Sequence, residues 1–126
     1  MSLIDCNKVI VQSTESKGLG AFAAIYIKKG ELVERGVVKR IDIDGNNNPF
    51  VFTWSEDRTI WAYGSGCSTF YNTSRDPNTK MIRNFDVDTF EIYAIKDIQR
   101  EDELTHTYKS LKWRDVFEDL RKIKNL

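Results

Sequence analysis

Gly66-Cys67-Ser68-Thr69-Phe70-Tyr71-Asn72-Thr73-Ser74-Arg75-Asp76-Pro77-Asn78 crosses the middle of a 126-residue chain. From Asn72 onward its composition is that of a surface loop, because Asn, Ser, Asp and Pro each favour turns for separate reasons. Outward from it the chain reads mostly with period two, the spacing of half-buried strands. Downstream, Phe90 to Ile95 and Leu104 to Tyr108 are strand-like. Upstream, Thr59 to Tyr63 forms another, and Phe50, Phe52 and Trp54 alternate with smaller residues. Asp44-Gly45-Asn46-Asn47-Asn48-Pro49 is the clearest loop. Before it lie strand-like Glu31 to Ile41, Phe22 to Ile27 and Val9-Ile10-Val11.

Only the tail changes period. Leu111, Val116, Phe117, Leu120 and Ile123 form an apolar stripe among charged residues, which predicts a helix over about 111–124. Ile27-Lys28-Lys29-Gly30-Glu31-Leu32 echoes Ile98-Gln99-Arg100-Glu101-Asp102-Glu103-Leu104, one turn-into-strand device used twice. The reading is a mainly β chain, a small α+β domain of short strands with one C-terminal helix. A single unit is expected over 1–126, with its core at about 8–109.

Charge and cysteine usage limit the function classes. The 19 basic and 19 acidic residues cancel, so neither nucleic acid nor an anionic membrane is an expected partner. Cys6 and Cys67 are distant in sequence, and with one His they cannot build a Cys-rich zinc site. Two free thiols in a reducing compartment are expected. No apolar run approaches the roughly 20 residues that span a bilayer, and Met1 to Cys6 lacks a signal-peptide core. The expectation is a soluble, intracellular protein.

Taken singly, the remaining motifs say little, since Gly18-Leu19-Gly20 alone is a tight turn. Their order says more. Lys17-Gly18-Leu19-Gly20-Ala21-Phe22-Ala23 resembles the K-G-x-G-x-F-A loop that opens the SET family. Lys28-Lys29-Gly30-Glu31 resembles its next turn, and Gly66 to Asn78 is similar to G-x-G-S-L-Y-N-H-S-x-x-P-N of small SET proteins. Tyr93-Ala94-Ile95-Lys96-Asp97-Ile98 resembles the F/Y-A-I-K/R-D-I strand, and Glu103 to Tyr108 the E-L-T-x-D/N-Y ending. Trp113 falls where many members place an aromatic.

The resemblance covers residues 8 to 113 and implies a SET fold, with a knot-like crossing of the Asn72 segment and the Tyr108 strand. It further implies S-adenosyl-L-methionine as methyl donor and a protein lysine as acceptor, in a histone or another basic protein. Lys17, Gly18, Leu19, Gly20, Tyr71, Asn72, Thr73 and Trp113 are the implied cofactor contacts. Tyr108 is the implied catalytic residue, and no metal is expected. Physical chemistry suits these types. Glycines admit close approach of backbone amides, an Asn side chain offers both donor and acceptor, and an indole face suits adenine. The small size is similar to viral and bacterial members.

Five positions depart from the family pattern. Thr73 stands for the usual His, Thr107 for Asp or Asn, and Ser68 for a second Gly. Phe50 stands where the family's D-x-Y-x-F strand carries an active-site Tyr. His106, two residues before Tyr108, has two readings: a hydrogen-bonded structural His, or a wall of the lysine channel, with Phe50, that limits how many methyls are added. On the second reading activity falls as pH drops through the titration of His106. The terminal stripe packs on the domain, covers the channel, or forms the face of a homodimer. Glu101-Asp102-Glu103 either attracts a basic substrate or is merely solvated. Thr73, Thr107 and Phe50 together support an alternative function, a SET-like binding module without turnover.

Overall fold

The computed structural model describes residues 2–48, 50–108 and 118–123. Nine strands follow in chain order: β1 (Val9–Ser13), β2 (Leu19–Ala23), β3 (Leu32–Ile41), β4 (Phe52–Thr53), β5 (Trp61–Gly64), β6 (Asn72–Thr73), β7 (Thr79–Asn84), β8 (Thr89–Ala94) and β9 (Glu103–His106). A 3-10 turn at Ser68–Phe70 precedes β6, and a short helix α1 covers Glu118–Arg121. The strands form two sheets, ordered β1-β2-β9-β6 and β4-β5-β3-β8-β7. The mainly β reading holds. Most of the expected 111–124 helix, and Trp113 with it, lies outside the described residues. Among the described residues no helix is long and apolar enough to cross a membrane.

Strand boundaries moved where glycine chemistry competes with apolar periodicity. The stretch expected over Phe22 to Ile27 begins earlier, at Leu19, because β1 and β2 form a hairpin in register from Val9↔Ala23 to Ser13↔Leu19. Gly18, at φ +74°, makes the turn. Thr14 brackets it, its N–H and hydroxyl both donating to the Gly18 carbonyl. Phe50 does not continue the Phe52 strand; it sits in the preceding turn with 56 % of its surface exposed. β7 went unread, although Thr79 and Met81 are buried while Lys80 and Ile82 are exposed, the expected alternation.

The echoed turns pair with each other. Ile27 and Ile98, both fully buried, exchange backbone hydrogen bonds of 2.9 and 2.8 Å. Three residues after each, Gly30 and Glu101 adopt φ of +91° and +75°. Two copies of one device thereby join the loops that lead into β3 and β9. Burying both isoleucines contributes roughly 3–6 kcal/mol of apolar transfer free energy.

β9 positions the site. It lies between β2, antiparallel, and β6, parallel, with Asn72 opposite Thr105 and Thr73 opposite His106. This brings the Asn72 segment and the Tyr108 strand side by side, as the resemblance implied. Asn78 clips the pair, its side chain donating to the Glu103 carbonyl at 2.8 Å and accepting from Thr105 N–H at 2.9 Å.

Candidate active site

A polar cluster gathers at the β2, β6 and β9 junction. Glu103 accepts from Lys17 Nζ at 2.7 Å through one oxygen and from Asn72 Nδ2 at 2.8 Å through the other. Asn72 Nδ2 also donates to the Leu19 carbonyl at 3.2 Å. Four of the expected cofactor residues, Lys17, Leu19, Gly20 and Asn72, thus meet around a carboxylate the sequence reading did not single out. Its signal was present: Glu103 begins the E-L-T strand, one position from the buried face. A Cβ on Gly20 would fall 2.9 Å from Glu103 Oε2 and 3.1 Å from Asn72 Nδ2. The glycine keeps the space over both groups open. At Gly18 nothing lies within 4 Å of where a Cβ would stand.

Tyr108 reaches this junction from the end of β9. Its hydroxyl donates to the Tyr71 carbonyl at 2.9 Å, and its backbone N–H donates to Thr73 Oγ1 at 3.0 Å. Thr107 Oγ1 donates to the Ser74 carbonyl at 2.6 Å, and Ser74 N–H to the His106 carbonyl at 2.9 Å. Thr73 and Thr107, two departures from the family pattern, are therefore both hydrogen-bonded across the β6–β9 crossing.

Tyr71 is fully buried and its hydroxyl donates to Glu34 at 2.9 Å. Burial, then the Glu34 charge, holds that hydroxyl well above the usual tyrosine range. His106 packs between the two tyrosines, its ring 5.1 Å edge-on from Tyr108 and 5.8 Å from Tyr71. It is 4 % exposed, and its Nε2 is buried without a hydrogen-bond partner. Burial and, second, the Arg83 guanidinium push its pKa down to about 3. His106 therefore stays neutral through its ordinary titration range, which corrects the expected pH dependence of activity there. A cavity of about 270 Å³ borders His106, Thr79, Met81 and Ile95. Phe50, in the turn before β4, is not among the residues that line it.

The acidic run at Glu101-Asp102-Glu103 is largely engaged within the chain. Asp102 accepts from Gln99 N–H at 2.9 Å and Glu103 holds Lys17 and Asn72. Arg75, in the loop after β6, donates to the carbonyls of Arg121 and Ile123 and so ties the α1 region to the site's own loop.

Crossing, glycine loop and polar cluster together define a SET architecture, and residues 18–109 match the SET domain family model. The chain belongs to that family. Among solved structures it is similar to a Plasmodium falciparum protein assigned to the histone methyltransferases, at 25 % identity and TM-score 0.65, covering 80 % of this chain and 92 % of that one. It is similar in fold to a Neurospora SET domain histone lysine methyltransferase, at 22 % identity and TM-score 0.63, covering 79 % of this chain and 51 % of that one. A third likeness is to a Chaetomium thermophilum polycomb repressive complex 2 chain bound to S-adenosylmethionine, at 23 % identity and TM-score 0.70. It covers 93 % of this chain but 17 % of that one, so the present chain spans only a fraction of that larger protein. No curated protein sequence matches.

Proposed function

We propose that this chain transfers a methyl group from S-adenosylmethionine to the side-chain amine of a lysine in a basic protein. The observation that supports the reading is the β6–β9 pairing, which sets Asn72 on β6 beside the chain that leads out of β9 to Tyr108. The polar groups suit the donor's amino-acid end. Asn72 and Glu103 offer acceptors for an ammonium, Lys17 a cation for a carboxylate, and Gly20 the room between them. When bound, the donor supplies a methyl carbon on a positively charged sulfur.

The chain's own task is orientation and charge. Tyr108 commits its proton to the Tyr71 carbonyl, so its oxygen presents lone pairs and can accept from a lysine amine. A neutral His106 beside it adds no positive charge to a site that must hold a cationic donor. Positioning and a preorganised acceptor of this kind are where the barrier reduction resides. His106 fills space against Tyr108 and is the residue proposed to limit methyl number. Thr73 and Thr107 keep hydrogen bonds across the crossing, which favours turnover over the binding-module alternative. The test is a thermal-shift titration with S-adenosylmethionine, then incubation with labelled cofactor and a protein extract. A raised melting temperature and label on lysine support the enzyme. A shift without labelled lysine supports the binding module, and no shift at saturation removes both.

A further inference from the structure

A second cluster lies behind Tyr71. Cys6, on the segment before β1, Glu34 on β3 and Cys67 beside the 3-10 turn bring one sulfur, one carboxylate oxygen and one sulfur within 4.8 Å of one another. Backbone pairing holds them there. Asp5 and Arg35 exchange backbone hydrogen bonds of 2.9 and 3.0 Å, setting Cys6 beside Glu34. Gly66, at φ +61°, wraps the preceding turn so closely that a Cβ would collide with Glu34 Oε2 and stand 3.4 Å from Cys6 Sγ. Glu34 is fully buried, with Cys67 N–H and the Tyr71 hydroxyl each donating to it at 2.9 Å.

We propose that Cys6, Glu34 and Cys67 form a binding site for a thiophilic divalent cation of the zinc class. Two sulfurs and a carboxylate are a donor set zinc accepts, and three protein ligands leave a fourth position for water. Both cysteines are partly exposed, so solvent reaches that position. Zinc–sulfur bonds of about 2.3 Å at tetrahedral angles place ligand atoms roughly 3.5–3.8 Å apart, inside the 4.8 Å within which these three atoms already lie. Cys67 N–H and Tyr71 hold the carboxylate from outside, as partners of ligating carboxylates do. Burial pushes the Glu34 carboxyl up to about 7, and burial with the neighbouring Glu34 pushes the Cys67 thiol up to about 12. A divalent cation offsets that cost; binding releases the thiol protons, and the Glu34 proton where it is held, to solvent and leaves two thiolates and a carboxylate on the metal. The same raised thiol is a poor nucleophile, which disfavours a disulfide switch between the two cysteines. Through Glu34 and Tyr71 the cation stands behind the Tyr108 hydroxyl and positions it.

Cobalt(II) titrated into the full chain, reduced and stripped with chelator, tests the site. The chain has 2 cysteines, so a thiolate-to-cobalt charge-transfer band reports on these alone. Saturation at one equivalent is expected, with tetrahedral visible bands, displacement by zinc, and loss of the charge-transfer intensity in both Cys6→Ser and Cys67→Ser. Glu34→Gln should keep a charge-transfer band while weakening affinity at least tenfold. No band, saturation at half an equivalent, or a band unchanged in either serine variant overturns the site. Cobalt-silent reduced protein accompanied by a native disulfide in the mass spectrum overturns it in favour of the switch. Unaltered affinity in Glu34→Gln removes the third ligand, and the three-donor site with it. None of these readouts depends on methyl transfer.

Discussion

Asn72 Nδ2 stands 2.8 Å from Glu103 Oε2, and the other oxygen of that carboxylate holds Lys17. One side chain therefore fixes the rotamers of two others, Lys17 in the loop before β2 and Asn72 on β6. Asn72→Ala should weaken S-adenosylmethionine binding by roughly 1–3 kcal/mol, the range for hydrogen bonds to charged groups. Glu103→Ala should cost a similar amount although Glu103 was absent from the motif-based set. The Asn72/Glu103 double variant should lose less than the sum, because the two act as a unit. Calorimetry of the four proteins measures this, and strict additivity would separate Glu103 from the cofactor site.

Thr73 Oγ1 accepts the Tyr108 backbone N–H. Thr73→Val keeps the shape and removes the acceptor, leaving that N–H to find water or none. A loss of about 1–2 kcal/mol is expected, with a melting temperature lower by several degrees. Turnover should fall with it, since Tyr108 is held through this bond. Thr73→Ser should restore both. An unchanged Thr73→Val protein would show that the hydroxyl is idle.

His106 gives a pH prediction in stability. Its folded pKa, about 3, lies below the ordinary histidine value of 6.5. Between these values the unfolded chain binds the proton and the folded chain does not, so its contribution is complete above about 6.5 and is lost as pH falls towards 3. Arg83 from β7 and the rings of Tyr71 and Tyr108 are the groups facing it. His106→Phe should lack that loss. The stability difference, parent minus variant, should shrink by a few kcal/mol from pH 7 to pH 4, measured by denaturant titration. A pH-independent difference would mean that the ring is charged, or reaches solvent, in the folded state. The same variant should shift the mono-, di- and trimethyl distribution on one peptide, read by mass spectrometry. An identical distribution returns His106 to a purely structural role.

The sequence made the architecture legible because its turns are specified by chemistry rather than by burial. Gly18, Gly30 and the echoed Ile98 turn were readable in place, as were the paired segments, with Asn72 on β6 and Tyr108 two residues beyond β9. Contacts between distant segments were not readable. Glu103 was legible only as part of an acidic run, attracting a basic substrate or solvated, because nothing local shows that Lys17 and Asn72 reach it. Cys6 and Cys67 looked unrelated because the Asp5–Arg35 bridge that brings the chain's start beside β3 joins distant segments, and counting Cys and His ignores a buried carboxylate as a third candidate donor. Phe50 was read into the Phe52 strand from alternation, but the turn before β4 breaks the period there.

The central claim is that Tyr108 orients a lysine amine while Asn72 and its neighbours hold the donor. Single-turnover methyl transfer to a lysine peptide, set beside calorimetric cofactor affinity for the parent and Tyr108→Phe, tests it most directly. Removing one preorganised oxygen at the reacting centre should slow transfer on the order of 100-fold. Cofactor affinity should stay within a few-fold, because the hydroxyl acts in the transition state more than in binding. Transfer at the parent rate, or a loss confined to cofactor affinity, would contradict the account.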